Sequence, residues 1–180
     1  SMEPEIVDLC NFISQMGVHI DGVGTDSLHI KGTKSNQIES IEYKIIPDRI
    51  EAGTFLIASA MCGGEITLNN VNVNHLDVVI DKLIQSGCDI QIGANQIKII
   101  SDGLINPVDI VTDVYPGYPT DLQAQWIALM STAKGASHVT DTIYNDRFTH
   151  VAELIRLGAS IKMDSNIAAI NGVDKLKGAE

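Results

Sequence analysis

Aromatic residues are scarce in this 180-residue chain, at 4% with a single Trp, so its core has to be filled by aliphatic side chains. No apolar run approaches the roughly 20 residues of a membrane-spanning helix, and the N-terminal stretch has no basic segment leading into an apolar one. Neither a membrane anchor nor a secretory leader is read here, and a soluble cytoplasmic protein is expected. Cysteine is limited to Cys10, Cys62 and Cys88, odd in number and set in apolar periodic stretches, which fits reduced core thiols rather than disulfides or metal ligands. The histidines, His19, His29, His75, His138 and His150, are scattered without ligand spacing and read as surface or hydrogen-bonded residues. No metal site and no cofactor is expected. Positive charge is short as well: 12 Lys and Arg against 23 Asp and Glu give a net −11, which argues against nucleic acid as a partner. Of three arginines, Arg49, Arg147 and Arg156, two fall in polar connecting segments, where an anionic ligand would have to find them.

What is present is a repeat. Ser1-Met2 reads as an engineered start and is set aside. From there, a helix ending in glycine and running into a strand is spelled three times. The copies are Ile13-Ser14-Gln15-Met16-Gly17-Val18-His19-Ile20, Leu83-Ile84-Gln85-Ser86-Gly87-Cys88-Asp89-Ile90 and Leu154-Ile155-Arg156-Leu157-Gly158-Ala159-Ser160-Ile161. Gly17 to Gly87 is 70 residues and Gly87 to Gly158 is 71. Self-similarity at a fixed period outranks any single element in choosing an architecture. The full unit reads strand, helix, strand, helix, strand, strand. Its middle copy runs from a strand near Tyr43–Ile46, through helices over Ile50–Ala60 and His75–Gln85, to the hairpin Asp89–Ile92 with Gln96–Ile100. The third copy runs from a strand over Val108–Val111, through helices at Asp121–Thr132 and Thr149–Leu157, to strands closing at Ile170. The first helix of the middle unit, Ala52 to Cys62, has little polar interruption and is expected to be buried on all sides, with the strands outside. The second helix, with Asp77, Asp81 and Lys82, has a wet face. The first copy lacks its opening strand, helix and strand, so the 180 residues are expected to be a piece of a longer protein, or to cover their open faces by self-association.

One turn carries chemistry. In Tyr118-Pro119-Thr120-Asp121-Leu122-Gln123-Ala124-Gln125, Gly117 and Pro119 punctuate a turn, and Thr120 or Asp121 has the side chain to cap the following helix. A carboxylate beside free backbone amides is stabilised in its charged form, so Asp121 is read either as a cap or as a fixed anion that accepts a substrate hydroxyl. Pro47-Asp48 stands at the head of the preceding unit's first helix, so the motif is itself a repeated position.

Four segments, Glu3-Pro4-Glu5-Ile6-Val7-Asp8, Pro47-Asp48-Arg49-Ile50-Glu51-Ala52-Gly53-Thr54-Phe55, Tyr118 to Gln125, and Asn145-Asp146-Arg147-Phe148-Thr149-His150-Val151-Ala152-Glu153-Leu154, resemble in order and spacing the UDP-N-acetylglucosamine 1-carboxyvinyltransferases. These enolpyruvyl transferases open bacterial peptidoglycan precursor synthesis, and with it the cell-wall building on which cell shape and division rest. The resemblance implies an α/β (α+β) fold, an inside-out α/β barrel of repeated strand-helix-strand-helix-strand-strand units, truncated here. Residues 3–44 would end the first family domain and 45–180 would supply two of the three repeats of the second. It implies that the substrates of the parent enzyme are UDP-N-acetylglucosamine and phosphoenolpyruvate. Asp121 would contact the sugar's 3-hydroxyl and take its proton, and Ile143 would meet the sugar nucleotide through its backbone. Thr120, Arg147 and Arg49 would lie at the substrate cleft. The family's catalytic cysteine loop, its lysine-asparagine pair for phosphoenolpyruvate and its late arginine fall outside this stretch, so the isolated chain is expected to be inactive. The alternative is a non-catalytic repeat domain acting as a binding or assembly module. RNA 3′-terminal phosphate cyclase resembles the repeat at the level of the fold alone.

Overall fold

The computed structural model describes residues 2–178 and divides into two units, Ser1–Pro47 and Asp48–Glu180. Half of the expected engineered start, Ser1, lies outside the described residues, as do the last two positions of the chain.

In the first unit Pro4 opens helix α1, Pro4–Gln15, where its missing N–H costs nothing. Strands β1, His19–Asp21, and β2, His29–Lys31, form the expected hairpin with Ile20 opposite Ile30. The strand expected over Tyr43–Ile46 does not form. Alternation permits an extended backbone, but a strand needs a ladder partner. The Tyr43 hydroxyl instead donates to the Asp8 carboxylate at 2.8 Å, and its ring lies 5.2 Å from Phe12, which ties this stretch to α1.

The second unit spells the repeat almost twice. Helix α2, Arg49–Cys62, leads to β3, Gly64–Asn69, then through a 3₁₀ turn to α3, Asp77–Gln85, and to the hairpin β4, Asp89–Ile92, with β5, Gln96–Ser101. Next come β6, Ile110–Val111, α4, Gln123–Met130, and β7, Ala136–Thr140. Helix α5, Thr149–Arg156, and the strands β8, Ser160–Asp164, and β9, Ile167–Asn171, complete it. The sheets run β3-β5-β4 and β6-β7-β9-β8, antiparallel except for the β6–β7 pair, so each places the hairpin's second strand between its first strand and the strand that precedes the unit's second helix: β5 between β4 and β3, β9 between β8 and β7.

The three glycines of the repeat have one physical task. Gly17, Gly87 and Gly158 sit at φ +99°, +103° and +94°, left-handed values that a Cβ disfavours. In each case the glycine N–H bonds three residues back and the following N–H five residues back: Val18 to Ile13, Cys88 to Leu83, Ala159 to Leu154. This is the Schellman stop of a helix, and it turns the chain straight into the next strand.

In the second unit α2 and α4 lie inside and the sheets outside, as the pattern requires. The buried faces of β5 (Ile97, Ile99) and β9 (Ala168, Ile170) join Leu56, Ile57 and Ala60 of α2 and Trp126, Ile127 and Met130 of α4 in one core. Trp126 donates its ring N–H to the Val108 carbonyl at 3.1 Å and takes Tyr118 edge-on at 5.6 Å. Two expectations are corrected. Helix α2 is not buried all round: Glu51, Phe55, Ala58 and Cys62, spaced four, three and four, form one exposed stripe, with Phe55 53% exposed. Cys62 is therefore an exposed thiol, whereas Cys10 and Cys88 are buried, and burial raises the Cys88 thiol pKa. On the opposite side α2 runs so close to the turn before α4 that a Cβ on Gly53 would stand 2.5 Å from Leu122 Cδ1. Gln125 reaches across to donate to the Thr54 hydroxyl at 3.0 Å.

Candidate active site

The two repeated carboxylates have different tasks. Asp48 caps α2, accepting from the N–H groups of Ile50 at 2.8 Å and Glu51 at 3.0 Å. At the head of α4 no side chain caps: a 3₁₀ turn, Thr120–Leu122, leads into the helix, and both Thr120 and Asp121 are engaged elsewhere. Counted from the proline, Thr120 stands where Asp48 stands, and Asp121 is one residue further on. The cap reading of Asp121 is thereby overturned.

What engages them is the segment after β7. Asp141 follows the strand's last residue, and a pair of bonds with Asn166, N–H to carbonyl at 3.0 Å and side-chain amide to carbonyl at 2.8 Å, pins its backbone. Its side chain is buried, with four donors converging on it. The Thr112 hydroxyl at 2.8 Å and the N–H groups of Ile143 and Tyr144, both at 2.9 Å, reach Oδ1, and the Thr120 hydroxyl reaches Oδ2 at 2.7 Å. Burial alone would raise the pKa of this carboxyl. The bonds from Tyr144, Thr120, Ile143 and Thr112 outweigh it and hold the pKa below the ordinary value, so the group is an anion. Thr142 closes the turn, its N–H and its hydroxyl both bonded to Thr112.

Arg147 joins the two halves. Its Nη2 donates to Asp121 Oδ1 at 2.7 Å and its Nη1 to the Thr120 hydroxyl oxygen at 3.3 Å, while the guanidinium lies 5.5 Å from the centre of the Tyr144 ring. An open pocket of about 760 Å³ lies against this cluster, lined by Thr120, Asp121, Ile143 and Arg147 together with Tyr144, Asn145 and Asp146. Four of the five residues expected from sequence thus share one pocket. Arg49 does not line it: it is nearly buried at the start of α2, with its guanidinium 5.2 Å from the centre of the Tyr115 ring.

Sequence reading missed Asp141. The available signal was an Asp at the end of a β-branched strand, a position from which a carboxylate bonds the N–H groups two and three residues on. It also misjudged His150, whose Nε2 is buried and finds no hydrogen-bond partner among the described residues. Burial lowers the His150 pKa, and the nearby Arg147 charge adds to this. Among the described residues no group of three His, Cys, Asp or Glu side chains comes together to hold a metal, and no helix is long and apolar enough to cross a membrane.

Chemically, the pocket presents a half-exposed carboxylate with one oxygen held by a guanidinium and the other facing away from that bond. Such a group can accept a proton or a hydroxyl hydrogen bond from a ligand. The sequence profile of the family described as EPSP synthase (3-phosphoshikimate 1-carboxyvinyltransferase) matches residues 1–180. The chain belongs to the EPSP synthase family. Relatives in the EPSP synthase family include UDP-N-acetylglucosamine 1-carboxyvinyltransferases of Campylobacter lari, 48% identical over 99% of this chain, and of Thermotoga maritima, 46% identical over 99%. The chain spans 43% and 42% of the length of these two relatives. Its fold is that of the enolpyruvyl transferase NikO from Streptomyces tendae, with a TM-score of 0.80 at 20% identity over 94% of this chain and 40% of NikO. EPSP synthase from Acinetobacter baumannii matches with a TM-score of 0.56 at 16% identity, over 92% of this chain and 38% of that one.

Proposed function

We propose that this chain supplies one wall of the active site of an enolpyruvyl transferase that moves the enolpyruvyl group of phosphoenolpyruvate to the 3-hydroxyl of UDP-N-acetylglucosamine. The observation that carries the reading is the position of Asp121, on the pocket wall, with Oδ1 held by Arg147 and Oδ2 unengaged among the described residues. In the reaction the hydroxyl oxygen bonds to the substituted alkene carbon of phosphoenolpyruvate and the bond from that carbon to the phosphate oxygen breaks. The hydroxyl proton ends on the departing phosphate, and Asp121 is the group that takes it as oxygen attacks. The names of the relatives support the choice of sugar nucleotide.

In this reading residues 3–44 end one domain of the full protein and 45–180 form two of the three repeats of the other. The protein works in the cytoplasm on a peptidoglycan precursor. The other wall of the cleft lies outside this chain, and a reaction between two substrates needs both walls to align them. Purified as 180 residues, the chain should release no phosphate above background from phosphoenolpyruvate and UDP-N-acetylglucosamine. In the full-length polypeptide Asp121→Asn should lower turnover by roughly 10²–10⁴-fold with the fold intact. Wild-type turnover in that variant would overturn the assignment.

The exposed α2 stripe favours a second reading, a repeat module that self-associates through Phe55 and its neighbours. Light scattering that gives the mass of a single chain at high concentration would end it.

A further inference from the structure

Asp141 is the most fully bonded carboxylate of the site, yet it does not line the pocket. Its four donors come from three separate places: Thr112 just after β6, Thr120 at the head of α4, and the backbone of the 143–144 turn. We propose that Asp141 is a positioning residue, which aims Asp121 through Thr120 and Arg147 and fixes which backbone atom of Ile143 a ligand meets. The proposal rests on the function proposed above for Asp121.

The chain of bonds has a defined direction. A hydroxyl has one hydrogen, and that of Thr120 points at Asp141 Oδ2, 2.7 Å away. Its oxygen is left to accept, and the donor it meets is Arg147 Nη1. The planar guanidinium then has its second arm fixed on Asp121 Oδ1. A threonine hydroxyl free to turn its hydrogen toward Arg147 would oppose that arginine, so the buried anion dictates the polarity of the whole relay. The relay holds a half-exposed pair: Arg147 and Asp121 side chains are 40% and 53% exposed, too wet for their attraction alone to define one geometry.

The second consequence concerns Ile143. Its N–H is committed to Asp141 Oδ1, so a ligand meets this residue's backbone at the carbonyl oxygen. Ile143 therefore presents an acceptor, and it selects a ligand that brings a hydroxyl or an N–H to that point.

The two consequences separate by substitution in the full-length polypeptide. Asp141→Asn keeps one oxygen for the Ile143 and Tyr144 amides and puts an NH₂ donor where Oδ2 accepted from Thr120. It should lower kcat by about tenfold to a hundredfold, the cost of misplacing a catalytic group by a fraction of an ångström to 1 Å, with KM for the sugar nucleotide within about threefold of wild type. Asp141→Ala loses the turn as well, so KM should rise in addition. Thr120→Val should lower kcat by about tenfold, and combined with Asp141→Asn it should be no worse than Asp141→Asn alone, because both act through one relay. A merely structural role would leave kcat per folded site at the wild-type value, and effects that multiply in the double variant would mean that the relay does not exist. Either result overturns the proposal. Asp121→Asn inactive with Asp141→Asn at wild-type kcat would overturn it while leaving the proposed function standing, whereas an active Asp121→Asn would remove the proposed function itself. In the 180-residue chain, amide hydrogen exchange gives a readout free of activity. Exchange at Ile143 and Tyr144 should be at least about tenfold faster in Asp141→Ala with protection kept in β5 and β9; unchanged rates at Ile143 and Tyr144 would overturn the hold on the turn.

Discussion

Arg147 Nη2 stands 2.7 Å from Asp121 Oδ1, and the same guanidinium reaches Thr120 at 3.3 Å, so one cation sets the direction of the pocket's carboxylate. Both partners are well exposed, and an exposed ion pair contributes only about 0–1 kcal/mol to stability. Its value is positional. In the full-length polypeptide Arg147→Met should lower turnover at least about tenfold while shifting the melting temperature by no more than a few degrees. Arg147→Lys should rescue little, because a single ammonium does not reproduce a planar fork across two acceptors. Full activity in the lysine variant would show that charge alone matters.

The paired carboxylates give a contrast inside one molecule. Asp48→Ala removes a cap with two backbone donors and should destabilise the chain by about 1 kcal/mol. Asp121→Ala removes no cap, only the exposed ion pair with Arg147, and at high salt, where that pair is screened, it should cost less than about 0.5 kcal/mol. Urea denaturation of the 180-residue variants compares them directly, and equal losses would restore Asp121 to a capping role.

Gly53 is a packing constraint on the active turn. A methyl group there would meet Leu122 Cδ1 at 2.5 Å, and Leu122 is fully buried next to Asp121. Gly53→Ala should destabilise by roughly 1–3 kcal/mol despite alanine's better helix propensity. An unchanged denaturation midpoint would mean that Leu122 swings aside freely.

Tyr118 offers the reverse case. Its hydroxyl is buried with no partner among the described residues, and burial drives the pKa of the phenol well up. Tyr118→Phe keeps the edge-on contact with Trp126 and deletes the stranded oxygen, so stability should rise by up to about 1 kcal/mol. A clear loss of stability in thermal melts would mean that the hydroxyl is bonded in solution.

The pH dependence has two separable limbs. His150 has a folded pKa below its ordinary 6.5, so the unfolded chain binds the proton first. Stability therefore falls as pH drops below about 6.5, and His150→Gln should flatten this limb. Asp141 has its pKa lowered from 3.8. Its contribution is complete above that value and is lost as pH falls through the lower folded one. Chemical denaturation at a series of pH values checks both, and a His150→Gln curve parallel to wild type would contradict the first.

Much of this was legible in the residues themselves. Helix periodicity, the glycine stops and strand alternation are local: Gly17, Gly87 and Gly158 sit in the left-handed region because neighbouring bonds require it, and three copies of one local rule disclose the repeat. The turn at Tyr118–Gln125 was visible for the same reason, since proline and glycine punctuate a chain wherever they occur. The strand near Tyr43 was misread because a ladder needs a partner that no local pattern supplies, and that the Arg49 guanidinium lies 5.2 Å from the centre of the Tyr115 ring is likewise decided by the fold. What tertiary structure alone decided is which of two similar carboxylates caps a helix and which faces a pocket. Asp48 takes the amides two and three residues on, within its own turn. Asp121 is directed by Arg147, 26 positions on, and Arg147 by Thr120, whose hydroxyl is held by the buried Asp141, 21 positions on from it; only folding brings these residues within hydrogen-bond reach.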